Sequence, residues 1–331
     1  MLMYMRISFL FLLFTTFLFS CKKETTNDTN SSTADIFAVG THGNQTVLWK
    51  NATETTLPAI SGAGNYSTCT ALFVAGNEVY ITGNDYDTMG YLLSARVWKN
   101  GAVLTVAPQQ YFQSIVVSGS DVYVGGTDEN GNAQIWKNGT ALGIANGSLG
   151  GSVQSICIVG NDVYAGGYSI TDTANIGLNT AATIWKNGVR SNLTSAIEYD
   201  GCSSIAVDGN GDVYAAGYIS NGQDSRGIVW KNGSIISDIN NAWFRAVCLL
   251  SSTVYAGGST GFNAITTANG NTLYNQPSAS INTIFATGAD VYTGGYYYDA
   301  GVAKPVIWKN GISSPLTTDQ QMGEVVAVFV Q

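Results

Sequence analysis

Apolar residues along this chain come in short runs cut by Gly, Asn and Asp, and one wording of that alternation keeps returning. Read from Ser155 it is "SICIVGNDVYAGG", a variable stretch, "TIWKNG", a brief apolar run and a second variable stretch. The Val-Tyr landmark recurs at Tyr80, Tyr123, Tyr164, Tyr214, Tyr255 and Tyr292, with Ile36-Phe37 taking the role first. Runs this short, punctuated by turn residues, predict strands. Copies recurring roughly every forty residues predict a repeat architecture.

Each copy parses into four strands, A to D. Strand A is the run such as "SIVV" (Ser114–Val117) or "SIAV" (Ser204–Val207), and strand B is "VYAGG" and its relatives. Strand C is the "IW" run of "IWKNG" at Ile135–Gly139, Ile184–Gly188 and Ile307–Gly311. Its Asn-Gly supplies the positive φ of a two-residue hairpin, and strand D follows at once. Tyr of strand B and Trp of strand C read as packing between neighbouring units. Strands B and C are antiparallel, so the acid before Val-Tyr is expected opposite the Lys after Trp. The pairs are Asp35 with Lys50, Glu78 with Lys99, Asp121 with Lys137, Asp162 with Lys186, Asp212 with Lys231 and Asp290 with Lys309. In the sixth copy the Trp-Lys-Asn-Gly wording reads as decayed to "YNQP" (Tyr274–Pro277) and the acid becomes Thr253, so acid and lysine disappear together.

The chain begins its copies on "DIFAVG", a B strand with no A before it, and finishes on "EVVAVFVQ", an A strand with no B behind it. Joining the two completes a blade and removes an open edge. The expected fold is therefore all-β, a seven-bladed β-propeller of four-stranded antiparallel blades over residues 35–331, closed by its terminal strands.

Composition changes the picture at the N-terminus and in the choice of partner. The formal charge is −8 and no basic stripe exists to neutralise phosphates, which sets nucleic acid aside. Residues 1–20, with Arg6 before "ISFLFLLFTTFLF", read as a targeting segment outside the fold. "LFSC" at Leu18–Cys21 resembles the lipobox of bacterial lipoproteins, which implies lipid on Cys21; an ordinary signal peptide or an N-terminal anchor is the alternative. Residues 21–34 then read as the lipidated Cys and a polar stalk. The expected location is the bacterial cell envelope, anchored to a membrane by lipid, with the outer membrane favoured.

A–B and C–D turns are short and nearly constant, whereas the B–C and D–A connections vary, so the latter face is the place to look for binding. Its aromatic candidates are Tyr66, Tyr111, Phe112, Tyr168, Tyr199, Tyr218, Trp243 and Tyr297, with Arg245 among few bases, and acids including Asp85. Aromatic faces among polar residues suit sugar rings or a protein epitope. Catalysis by carboxylates would fall to Glu198 with Asp200, or to Glu324, in a polysaccharide-cleaving enzyme. His42 is the single histidine, which disfavours His-based triads and multi-His metal sites. Cys69, Cys157, Cys202 and Cys248 occupy repeat-equivalent slots in separate copies and read as small buried thiols. "DENGN" (Asp128–Asn132) and "DGNGD" (Asp208–Asp212) look faintly like calcium loops, with hairpin turns the simpler reading; no other cofactor is expected.

From Cys21 to Gln331 the pattern resembles bacterial β-propeller lipoproteins, akin in the broad sense to Kelch-like repeat propellers, without the Gly-His and Trp-Asp wording of WD-type repeats. Three functions stand open: a tethered, non-enzymatic module binding a glycan or protein, the polysaccharide-cleaving enzyme, and an envelope scaffold.

Overall fold

The computed structural model describes residues 34–144, 149–170, 179–195, 199–221 and 223–331, all within the compact unit Thr33–Gln331. The targeting segment and Cys21 lie outside the described residues. Among the described residues every regular element is a strand. The first are β1 (Ile36–His42), β2 (Gln45–Lys50) and β3 (Thr53–Thr56). Then come β4 (Tyr66–Ala75), β5 (Glu78–Tyr86), β6 (Leu92–Lys99) and β7 (Ala102–Pro108), followed by β8 (Tyr111–Ser118), β9 (Asp121–Thr127), β10 (Ala133–Lys137) and β11 (Thr140–Leu142). Next are β12 (Gly151–Val159), β13 (Asp162–Ile170), β14 (Thr180–Lys186), β15 (Val189–Asn192), β16 (Tyr199–Val207), β17 (Val213–Ser220), β18 (Ser225–Lys231) and β19 (Ser234–Asn240). The last are β20 (Ala242–Leu250), β21 (Thr253–Thr260), β22 (Asn263–Ala268), β23 (Asn271–Gln276), β24 (Ala279–Thr287), β25 (Asp290–Asp299), β26 (Val302–Lys309), β27 (Ile312–Pro315) and β28 (Gly323–Val330).

These strands form four-stranded antiparallel meanders. Two of them, β12–β15 and β16–β19, are joined into one eight-stranded sheet by a single parallel pairing, Thr180 with Tyr199. β28 completes the sheet of β1 to β3, with Ile36 opposite Val330 and Gly40 opposite Val325. The first strand of each meander touches the first strand of the next: β4, β8, β12, β16, β20, β24 and β28 in turn, with β28 against β4 again. The fourth strands lie at the outside, and β3 and β27 are exposed along their whole length.

The core sits between successive sheets. Phe37, Val39 and Leu57 pack on Leu72, Ile81 and Trp98, while Tyr80 and Val97 meet Phe112, Ile115 and Trp136. At the join of the chain's two ends, Val325 and Val328 pack with Trp49, Tyr292 and Ile307. The Trp of "WKNG" is buried in every copy that has it, and truncating such a side chain costs about 3–5 kcal/mol.

The turn wording performs as its chemistry requires. Asn138 and Gly139 take φ of 49° and 79°, and the equivalent pairs at 100–101, 187–188, 232–233 and 310–311 match them closely. The sixth copy differs from expectation. Its turn is Asn269-Gly270 (φ 48° and 80°), not "YNQP", and Thr267 and Ala268 stand where Trp and Lys stand elsewhere. Its third and fourth strands, β22 and β23, are fully formed.

All six acid–lysine pairs close at 2.7–3.0 Å. Their register is not the expected one. Lys137 lies directly opposite Tyr123, with Asp121 one diagonal away, so the ammonium also rests 5.4 Å from the ring centroid of that tyrosine.

Every first strand starts earlier than its apolar run suggested, because each carries a one-residue bulge. The bulges follow Cys69, Phe112, Val153, Cys202, Phe244 and Ile281, with a matching shift at Gly40 on β1. Opposite each bulge stands a glycine, the second of the "GG" in "VYVGG", and a Cβ at Gly126 would overlap the carbonyl of Tyr111.

Candidate functional site

The bulges carry Tyr111 and Trp243 out of the loops and into strands, and the extended second strands do the same for Tyr168 and Tyr218. One ladder rung lies a single pair ahead of the glycine pair that precedes each bulge. Its cross-strand partners are Thr68–Asn84, Tyr111–Thr127, Ser152–Tyr168, Gly201–Tyr218, Trp243–Ser259, Ser280–Tyr296 and Glu324–Thr41. Five of these seven pairs hold one aromatic ring, and its partner is always Gly, Ser or Thr. The ring comes from the first strand in two cases and from the second in three. Size is thus conserved across the pair while the side it comes from is not.

Local packing shows how these rings are held. A Cβ on Gly201 would stand 2.8 Å from the Tyr218 hydroxyl, so the bare glycine gives that ring its place. Tyr218 in turn stacks on Trp243 of the next meander, with centroids 4.0 Å apart and planes at 26°. Tyr66 stacks on Tyr86 at 5.2 Å. Burial pushes the phenol of Tyr86 up, and neighbouring Tyr111 adds to the shift. Tyr168 is raised by burial and then by Tyr111, and Tyr218 by burial and then by Tyr168 and Asp200. The phenols of consecutive sheets are therefore near enough to feel one another, forming an arc from Tyr66 to Trp243.

Other candidates separate from this arc. Phe112 is 4% exposed and packs on Trp136 at 5.1 Å, a core residue. Tyr297 faces away from the rung and packs beside Ala264, Ala279 and Ile281; Tyr296, which strand alternation places on the opposite side, holds the rung position. Tyr199 is exposed at the start of β16. Asp85, expected in a connection, is buried in β5, and Lys304 is buried in β26.

Of the carboxylate candidates, Asp200 and Glu324 lie on separate strands. Asp200 is buried in β16 and accepts the Ser220 amide at 3.4 Å; burial raises its pKa, against the opposing pull of Thr194, that amide and Arg226. Glu324 belongs to β28 and accepts from Asn282 at 2.9 Å. Two meanders stand between those strands. Glu198 lies outside the described residues.

The two calcium-like stretches spend their aspartates on turns. Asp128 Oδ1 accepts the amides of Asn130 and Asn132, and Asp208 Oδ1 those of Asn210 and Asp212. Asp87 does the same for Met89 and Tyr91. Asp-x-x-Gly is the wording all three share. Of the thiols, Cys69 and Cys202 are buried and Cys157 and Cys248 half-buried; burial pushes Cys202 and Cys248 up to about 12.

Two shallow clefts, of about 450 and 510 Å³, lie beside Asn187 and Gly211 and beside Asn221 and Arg226, and neither takes in a ring of the rung. Among the described residues no helix is long and apolar enough to cross a membrane.

No family model matches the sequence. No curated protein matches it either. Among solved structures the chain is similar to apo AztD from Citrobacter koseri, at 9% identity over 90% of this chain and 98% of that one, with a TM-score of 0.38. It is similar to a protein from Lactobacillus plantarum at 14% identity, over 90% and 99% of the two chains, with a TM-score of 0.41. A GH32 β-fructofuranosidase from Bombyx mori gives 11% identity over 86% and 83%, with a TM-score of 0.31. At these identities and TM-scores none of them carries an argument about what this chain binds.

Proposed function

We propose that the body is a seven-bladed β-propeller, tethered to a membrane by lipid on Cys21, that binds a glycan at the mouth where its innermost strands begin. The observation that carries the reading is the rung of aromatic rings, one per cross-strand pair in five consecutive meanders. Rings seated opposite Gly, Ser and Thr are held before any ligand arrives, so little ordering cost remains to be met on binding. Their faces suit the C–H faces of sugars, and their hydroxyls remain for polar contacts. The cyclic contact of the first strands supports the propeller, and the lipobox wording of Leu18–Cys21 supports the anchor.

The full chain is the material for the test. It is expected in the detergent phase of a detergent partition, with Cys21→Ser moving it to the aqueous phase. On a glycan array it is expected to give a defined set of ligands, with Trp243→Ala weakening them at least tenfold, about 1.4 kcal/mol. An empty array from folded protein, with capture of a protein partner instead, overturns the glycan reading.

A further inference from the structure

The mouth is not chemically uniform. Trp243 and Arg245 are alternate residues of β20, both exposed, while Phe244 and Ala246 are buried, so the first two side chains share one side of the strand. Arg245 is the residue its bulge leaves unpaired. Its Nη1 donates to Oδ1 of Asn282 at 2.9 Å, and the Asn282 amide nitrogen donates to Glu324 Oε2 and to the Val325 carbonyl, both at 2.9 Å. Tied at its nitrogen to the next strand, that amide offers Arg245 a fixed acceptor. It orients the guanidinium while leaving most of its five donors unspent.

Two further observations point to a ligand. Among the described residues, Arg245 is the one basic side chain on the seven strands that contact one another in turn. One strand on, Ser280 occupies the rung position of Trp243, is 4% exposed, and its hydroxyl has no hydrogen-bond partner. Stacked rings and an oriented guanidinium form a site with an apolar floor and an anion-seeking wall.

We propose that Trp243, Tyr218 and Arg245 form a subsite for a uronic acid residue, its ring on the Trp243 face and its carboxylate on the guanidinium. The proposal rests on the glycan reading above. The opposing charges do not cancel it. The net charge of −8 acts over distances that salt screens beyond about 8 Å, whereas the guanidinium–carboxylate contact is direct and charge-assisted. Glu324, which shares Asn282 with Arg245, is engaged by the Asn282 amide nitrogen rather than facing Arg245 alone. A neutral sugar would leave the cation without a partner; an acidic peptide would supply the carboxylate without a pyranose for the indole.

The test titrates the full chain with oligogalacturonate, its carboxyl-reduced form and a polyglutamate peptide, following heat of binding. Oligogalacturonate is expected to bind at least tenfold tighter than the reduced form. Arg245→Gln should erase that difference, Arg245→Lys should keep part of it, and Trp243→Ala should weaken both sugars. Equal binding of the two sugars, or a preference that survives Arg245→Gln in folded protein, overturns the subsite and leaves the glycan reading standing. Polyglutamate binding as well as the uronate also overturns it, in favour of a peptide carboxylate. Failure of both sugars together with an empty glycan array removes the reading beneath it.

Discussion

Asn138 takes a φ of 49°, accepts the Val122 amide on Oδ1 at 2.9 Å and donates to Asp121 at 2.8 Å, while its own amide bonds the Val122 carbonyl at 2.8 Å. It thus closes the hairpin after β10 and fixes that hairpin to the start of β9. Asn138→Ala removes both side-chain bonds and puts a Cβ residue without local hydrogen bonding in the left-handed region, and is expected to cost about 1–3 kcal/mol. Lys137→Met, which removes an exposed ion pair, should leave the urea midpoint within error of the parent. Equal losses from the two would refute this ordering. The turn itself was legible, because Asn-Gly announces its φ in the sequence. The clamp was not: it depends on which residue of β9 lies alongside, and register is a property of two strands.

Within the sheet of β4 to β7, Asp85 is fully buried and accepts from Arg96 at 2.7 and 2.9 Å and from Ser67 and Ser94 at 2.6 Å. Every charge there is answered, so loss of one partner leaves the other stranded. Asp85→Ala or Arg96→Ala alone is expected to cost about 3–5 kcal/mol, and the double variant clearly less than the sum. Additive losses in a double-mutant cycle of chemical melts would show that the two do not act as a pair. Such strands were legible in existence but not in extent. A bulge inserts one residue and throws the two-residue alternation out of phase, so "YFQSIVV" seems to begin at Ser114 although β8 begins at Tyr111. The same slip sent Tyr66 and Trp243 to connections and hid the pairing of Gly201 with Tyr218. Four of the five rings of the rung were therefore visible as residues, and none of them as a rung.

His42, at the end of β1, holds the two ends of the body together. Its Nδ1 meets Glu54 of β3 at 2.9 Å and its Nε2 meets Asp319, in the connection to β28, at 2.9 Å; Lys304 donates to the Asp319 carbonyl. Burial works against the imidazolium, but the bonds to Asp319 and Glu54 outweigh it and raise the pKa above its usual value of about 6.5. A raised folded-state pKa contributes stability that is complete below the unfolded value and disappears as pH rises through the folded one. Asp319, lowered by its bond to His42, contributes above its ordinary value and loses that contribution as pH falls through the lowered one. The parent should therefore lose urea resistance as pH rises from about 6.5 through the raised folded-state value, with His42→Gln showing a flatter profile; superimposable profiles would dismiss the latch. The pairing of the terminal strands was legible from an unmatched B strand at one end and an unmatched A strand at the other. The latch was not, since one histidine and two scattered acids carry no spacing that links them.

Ile36 and Val330 stand opposite each other, beside the paired backbones of Asp35 and Gln331, although nearly the whole described chain separates them. Synthesis delivers β1 first and β28 after every other strand. Until then the pockets that Val325 and Val328 fill, against Trp49 on one side and Tyr292 and Ile307 on the other, stay wet. Any chain interrupted before Gly323 carries two greasy, unzipped margins that a protease or chaperone can grip. The clasp thereby makes the burial of those side chains wait on the last strand of the ladder.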